Sequence, residues 1–415
     1  MTPKKMTTAL ASSPSVNNPA FGVFCNPESR RVEGFCAATA KLLRQYPALV
    51  PWQLVLENAP WPPHLEPPPR WLRLESPGRN WAVEKQILFR GAAIEDEEAE
   101  HDWARFSAAE IQALEHDPGR VYPMRQWYLG WRSLLDEISR WAVQTGFSDR
   151  WLCSPENVAT MYDKAACQQL FEAAGISTPP ALGVPANFDE LWEMMKRSGR
   201  RRIFLKPCHG SAATGIVAVE SRGHRLQAHS TLELVDASGA IRLFNQRRVK
   251  TLREPGEVRR LVDEVCRQRC IAQVWIPKAG QHGRPFDVRV LVIGGAADHV
   301  MVRLGRGPMT NSQLLGGKGD VDLLRSKMKE GAWEQMLATC ARALTLCFPK
   351  SLYAAFDVLV EPDYETAHIL EANAFGDLLP GVLHKGYTTY GAEIAEAMFR
   401  CTAPHRTAPV SGAAI

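Results

Sequence analysis

The chain has 415 residues, 45% of them hydrophobic and 23% charged, with a formal net charge of +4. That length exceeds one ordinary core, so two or three domains are expected. Mild basicity without a face-sized Lys/Arg block argues against a nucleic-acid binder, and no apolar run approaches the roughly 18 residues of a membrane span. The ten cysteines are scattered without a C-x-x-C pair and read as free thiols of a reducing cytoplasm.

Residues 1–19 lack a long apolar stretch and read as a flexible leader rather than a signal peptide. Ala20 to Asn26 reads as a strand, followed by a helix through Leu43, and Gln53 to Leu56 as a second strand. Pro60 to Pro69 is a Pro-rich connector, poor in backbone donors. A strand over Trp71 to Glu75 and a helix over Trp81 to Arg90 follow, then an acidic, exposed stretch from Glu95 to Glu100. Gln126 to Thr145 places Trp127, Leu134, Ile138 and Trp141 at helical spacing. Residues 20–152 thus form an expected α/β unit.

From about Cys153 the texture changes. MYDKAACQQLFEAAGI is helical and stops at Gly175, before Pro179-Pro180, and a helix follows over Asp189 to Ser198. Arg202 to Lys206 and Ile216 to Glu220 read as strands around a glycine-containing loop. A helix over Glu257 to Arg269 leads into a strand over Cys270 to Ile276. Two hairpins come next: Asp287 to Ile293 with His299 to Leu304, and Phe356 to Asn373, turning at Pro362-Asp363-Tyr364. The last residues, 404–415, read as a frayed tail.

The second hairpin carries the clearest chemistry. Successive strand side chains alternate between faces, so Asp357 opposes the apolar face of Phe356, Val358 and Val360, while Glu371 and Asn373 share parity. Two carboxylates and an amide oxygen are hard ligands suited to Mg²⁺. A solvent-facing polar side of a hairpin is the competing reading. Lys206 to Gly215 (KPCHGSAATG) joins two strands and can fold backbone amides over phosphate, although it lacks the Walker ending and could be an ordinary turn. Arg289 shares parity with Asp287, and Arg303 lies on the partner strand; arginines on an interior face need anionic partners, whether ligand or Asp287 and Glu371.

The order of these parts resembles the ATP-grasp superfamily: Lys164, Lys206 with its glycine loop, QVWIPKAG, Asp-x-Arg, Arg303, Gly316-Gly317, Asp357 and Glu-x-Asn. The resemblance covers about residues 153–403, with residues 20–152 in the place of a pre-ATP-grasp domain. HGSAATG, RLGRGPMTNSQLLGG and EANAFGDLLPGVLH are similar to a bacterial ATP-grasp family of unassigned reaction.

The resemblance implies an α/β (α+β) fold with antiparallel sheets in two lobes, a lid lobe over about 187–276 and a metal and catalytic lobe over about 277–403. It implies ATP and Mg²⁺, as two ions, and an ADP-forming carboxylate–amine ligase. Lys164 and Lys206 would contact phosphates, with His209, Gly210, Ser211, Thr214 and Gly215 as the lid loop. Gln273, Val274, Trp275 and Ile276 would be the hinge that reads adenine. The hinge departs from the superfamily, which usually has an acidic residue near the ribose; Gln273, Trp275 and Lys278 stand there, so Lys278 could meet phosphate or substrate instead. Arg289 and Arg303 would be catalytic, and Asp357, Glu371 and Asn373 the metal ligands.

Substrate contacts are expected among Asp287, Arg306, Asn311, Gly316, Gly317, Gly376, Asp377 and His384. Asp377 could equally cap a helix, and His384 could be a hydrogen-bonded loop residue. Cys208 reads as a small filler rather than a nucleophile. The partners would be a small-molecule or peptide carboxylate and an amine or other nucleophile, and a homodimer is compatible with this. A hydroxyl-phosphorylating kinase and an inactive ATP-binding regulatory subunit are the alternatives.

Overall fold

A computed structural model describes residues 19–57, 65, 68–98, 100–211, 213–223, 225–237, 240–310, 316–375 and 379–402. The leader before 19, the tail after 402 and most of the Pro-rich connector lie outside these residues.

The N-terminal elements are β1 (Phe21–Cys25), α1 (Arg30–Leu43), β2 (Ala48–Pro51), α2 (Trp52–Glu57) and β3 (Trp71–Leu74), then α3 (Trp81–Ala92), α4 (Ala108–Gln112) and α5 (Met124–Gln144). β1 lies between β2 and β3 and pairs parallel with both. It is buried along its whole length, as expected of a central parallel strand. The strand read at Gln53 to Leu56 is instead helix α2, and the strand precedes it. A short apolar run is compatible with either period; burial of Trp52 and Val55 three apart is the helical solution. α3 and α5 cross at two glycines. A Cβ at Gly91 would stand 1.9 Å from the Gln126 carbonyl oxygen, and one at Gly130 would stand 2.0 Å from that of Ile87.

The acidic stretch is not simply exposed. Arg125 on α5 donates to Asp96, and Arg269 grips Glu98 through two 2.8 Å bonds. These pairs join the N-terminal elements to the middle of the chain.

Next come α6 (Pro155–Tyr162), α7 (Lys164–Ala173), β4 (Ala181–Gly183), α8 (Phe188–Ser198), β5 (Arg202–Pro207) and β6 (Val217–Arg222). β7 (Arg225–Ala237), β8 (Ala240–Leu252), α9 (Pro255–Cys266) and β9 (Cys270–Val274) complete this part. The helix read as continuous through MYDKAACQ breaks at Asp163, whose carboxylate caps α7 by accepting from the amides of Ala165 and Ala166. The strands form an antiparallel sheet ordered β4-β9-β5-β6-β7-β8. α8 and α9 pack on it through Leu191, Met195, Leu261 and Val265 against Ile203, Leu205, Val217 and Val219. The long β7–β8 hairpin has no counterpart in the reading of the sequence.

The C-terminal part holds β10 (Gly280–Gln281), β11 (Arg284–Ile293), β12 (Ala296–Leu304), β13 (Gly317–Lys318), α10 (Val321–Lys327) and α11 (Ala332–Cys347). β14 (Tyr353–Val360), β15 (Ala367–Asn373) and α12 (Thr389–Thr402) end it. A second antiparallel sheet runs β13-β12-β11-β14-β15, with β10 paired to β11. The chain is therefore of mixed α/β class, with one parallel and two antiparallel sheets. Its second antiparallel sheet is buried on both faces: Val288, Val290 and Phe356 pack toward α11, while Leu291, Tyr353 and Ala355 pack toward α1 and α12. No cysteine among the described residues is in a disulfide. No helix among them is long and apolar enough to cross a membrane.

Candidate active site

Strand register builds one wall of the site. Asp287 pairs with Arg303 across β11 and β12, Arg289 with Asp357 across β11 and β14, and Asp357 with Glu371 across β14 and β15. Asn373 stands opposite Ala355, two residues along from Asp357 on the same face. Arg289 Nε donates to Asp357 Oδ1 at 2.6 Å and Nη2 to Oδ2 at 2.8 Å. Arg303 divides itself between Asp287 at 2.6 Å and Asp357 at 2.8 Å. Thr310 donates to Asp287 and takes a bond from Lys278, whose Nζ is 3.8 Å from the same carboxylate.

The electrostatics follow from this packing. Burial alone would raise the Asp357 pKa; Arg289 and Arg303 overcome it and hold the group well below the usual carboxylate range. Burial raises Glu371, and the Asp357 charge beside it adds to the rise against the pull of Lys164. One carboxylate of the pair is fixed as an anion, and its neighbour is left wanting a cation.

The facing wall comes from the middle of the chain. Lys206 is the penultimate residue of β5, and burial lowers its pKa to about 8, against the pull of Glu371. Burial also lowers Lys278. Lys164, first residue of α7, donates to the Gly210 carbonyl at 2.5 Å and stands 3.8 Å from Glu371. The glycine loop after β5 is anchored at its root: Lys164 N–H bonds Cys208 O at 2.9 Å, and His209 Nε2 meets Asp163 at 3.2 Å. His209 stacks on Tyr128 with ring centroids 4.0 Å apart and is buried there, which lowers its pKa. Gly215 has φ +79°, and a Cβ on it would fall 2.6 Å from Pro207, so only glycine suits the loop's exit. Cys208 is buried and its thiol is pushed up to about 12, as befits a filler.

These walls enclose a cavity of about 1000 Å³. Lys164, Lys206 and Lys278 line it, together with His209, Gly210, Ser211 and Thr214 of the loop. Asp287, Arg289, Arg303, Asp357, Glu371 and Asn373 line the opposite side. Gln273, Val274 and Ile276 border it beside Phe204 and Met309. Gln273 donates to Gln168 at 2.6 Å, and its side-chain Oε1 has no hydrogen-bond partner among the described residues.

Other expected residues lie elsewhere. Trp275, just past the end of β9, packs against Phe204 and Arg202 outside the cavity lining. Gly215 shapes the loop without lining the cavity. Arg306, Gly316 and Gly317 do not line it, and Gly317 belongs to the edge strand β13, paired with Leu304. His384 also stands apart, 3.4 Å from Asp298 and beside His299, in the loop role weighed against a substrate one. Asn311, Gly376 and Asp377 fall outside the described residues.

Several lining residues were not singled out from the sequence. Thr310 lies within the stretch from Arg306 to Asn311 expected to meet substrate, without being named on its own. Arg30, Arg31 and Arg79 had a usable one, since they follow β1 and β3, and the carboxyl ends of parallel strands are where such sheets open into crevices.

The comparisons agree with this architecture. A family model described as YheC/D like ATP-grasp matches residues 180–302, from just before β4 to within β12. The ATP-grasp ligase PsnB, solved with a minimal precursor, is 14% identical, with a TM-score of 0.51 over 92% of this chain and 100% of that one. D-cycloserine synthetase DcsG is 12% identical, with a TM-score of 0.51 over 92% of this chain and 99% of that one. Residues 180–302 thus match an ATP-grasp family, and the chain has the ATP-grasp fold. Those likenesses extend the ATP-grasp fold beyond the family match, over the N-terminal elements and the β14–β15 hairpin. No curated protein matches the sequence.

Proposed function

We propose that this ATP-grasp protein is an ATP- and Mg²⁺-dependent ligase that activates a substrate carboxylate as an acyl phosphate and joins it to an amine. The observation that carries this reading is the convergence on one cavity of Lys164, Lys206 and the glycine loop with Arg289, Arg303, Asp357, Glu371 and Asn373. A scaffold protein has no use for so many buried charges, each of which is costly to desolvate.

The donor set fits Mg²⁺. Asp357 is held ionised, Glu371 lies beside it, and Asn373 uses its amide nitrogen on the Ala355 carbonyl, which frees its oxygen for a ligand. Bound there, the ion would offset charge on the terminal phosphates. Lys164, Lys206 and the loop amides would hold the departing ADP, and Arg289 and Arg303 would steady the phosphoryl group. A carboxylate oxygen bonds the γ-phosphorus as the bond to ADP breaks. The amine nitrogen then bonds the carbonyl carbon, loses a proton and expels phosphate. Closure of the glycine loop over the site would exclude the water that hydrolyses acyl phosphates.

The names of the similar structures, a ligase solved with a precursor and a synthetase of a small molecule, support a peptide or small-molecule acid. The test is product analysis over a pool of acids and amines. A ligase gives ADP, free phosphate and a condensed product, whereas a kinase gives a phosphorylated acceptor without free phosphate. Equal nucleotide turnover in wild type and Glu371→Ala would sink the enzymatic reading.

A further inference from the structure

We propose that Arg30, Arg31 and Arg79 form an oxyanion-binding subsite at the N-terminal wall of the cavity, so the substrate carries an acidic group besides the carboxylate it activates. This rests on the ligase reading of the opposite wall. All three arginines line the same cavity as Lys206 and Glu371. Among the described residues none of their guanidinium groups has an ion-pair partner, whereas Arg289 and Arg303 are paired with Asp287 and Asp357.

The segments that carry them, the turn after β1 that opens α1 and the loop after β3, are built, not loose. In the order β2-β1-β3 the chain changes direction across β1, so the loops after β1 and β3 flank a crevice. Asn26, buried after β1, donates across it to the carbonyls of Pro77 at 2.7 Å and Gly78 at 3.3 Å. Asn80 returns the tie by donating to Glu28 at 2.8 Å. Arg79 itself sits at φ +70°, a left-handed conformation that strains a non-glycine residue, and its amide is held by Glu84 at 2.5 Å.

The two carboxylates on this wall, Glu28 and Glu84, are thus spent on the loops' own backbone and amide groups. What remains facing the cavity is the guanidinium forks, whose paired N–H groups match a carboxylate or a phosphate. A strained position retained for an arginine, on loops tied to each other across more than fifty residues of sequence, suits a preorganised binding wall better than a solvated surface.

The test is calorimetric titration of succinate and, separately, inorganic phosphate into the full chain, with and without saturating Mg·AMPPNP. At least one probe should bind wild type with Mg·AMPPNP present and bind Arg31→Gln/Arg79→Gln at least tenfold more weakly. Arg30→Gln alone should weaken it about threefold, while Arg247→Gln/Arg248→Gln, outside the cavity lining, should leave it unchanged. Succinate binding alone would identify a carboxylate, and phosphate binding alone a phosphorylated substrate. Failure of both probes to bind wild type, or equal binding to the double variant, would overturn the proposal. If AMPPNP does not bind but the arginine-dependent probe does, the ligase reading fails and the subsite stands.

Discussion

Two sets of arginines face one cavity and differ in everything except charge. Arg289 and Arg303 lie on central strands, buried and paired with Asp287 and Asp357. Arg30 and Arg31 open α1 just after β1, Arg79 lies on the loop after β3, and among the described residues none of the three has an ion-pair partner. Buried guanidiniums need fixed partners, so the first set is part of the fold before any ligand arrives. The second set lacks such partners, so it is available to a ligand. On the proposed reading, the wall that would do the chemistry is rigid and the wall that would select the substrate is open.

The contrast is sharpest in stability. Asp357→Asn should leave two buried arginines short of charge and cost about 3–5 kcal/mol, with loss of turnover. Arg31→Gln should shift stability by no more than about 0.5 kcal/mol. Thermal or urea unfolding of the two variants reads the difference, and similar losses would break the comparison.

Gly215→Ala comes next. It places a Cβ 2.6 Å from Pro207 at φ +79°, and should cost about 1–3 kcal/mol and slow turnover through the loop. Gly223→Ala, also at positive φ but in open space, is the control, losing stability without an equal loss of activity.

Glu371→Gln has an opposite sign for fold and function. A carboxyl whose pKa is raised in the fold destabilises it when ionised, in the range between its ordinary value and its raised one and above. The amide should therefore unfold at equal or higher temperature at pH 7 while losing turnover. A lower melting temperature would contradict this account of Glu371.

The smallest effect is on pH. Lys206 is lowered to about 8, so between there and its ordinary value of 10.5 it is neutral in the free protein and charged once phosphate is beside it. Nucleotide binding should take up a proton in that range and weaken as pH rises through it. Lys206→Met should bind more weakly at neutral pH and lose that slope.

The chemistry of the rigid wall was legible in the sequence because strand parity and pairing fix it. Once β14 and β15 pair, Asp357, Glu371 and Asn373 must share a face, and Asp287 opposite Arg303 follows from the other hairpin in the same way. The open wall was not legible, because its residues meet only through parallel pairing of β1 with β3; nothing local in NPESRR or SPGRN says that Asn26 will bond Pro77. Short apolar segments failed for a different reason: WQLVLE satisfies a strand or a helical turn, and burial decides. Trp275 was grouped with its neighbours although it follows the last residue of β9 and packs on Phe204 and Arg202 instead of lining the cavity. The break at Asp163 was hidden because an N-cap inside a helical pattern looks like one more polar residue.

The central claim is that the rigid wall holds a metal–nucleotide complex. Titration of AMPPNP with Mg²⁺, and again with EDTA, into wild type and Glu371→Gln tests it most directly. The account predicts one equivalent bound by wild type with Mg²⁺, and at least tenfold weaker binding by the variant, a gap that closes in EDTA. No binding to wild type, or equal Mg²⁺-dependent binding by both proteins, would contradict it.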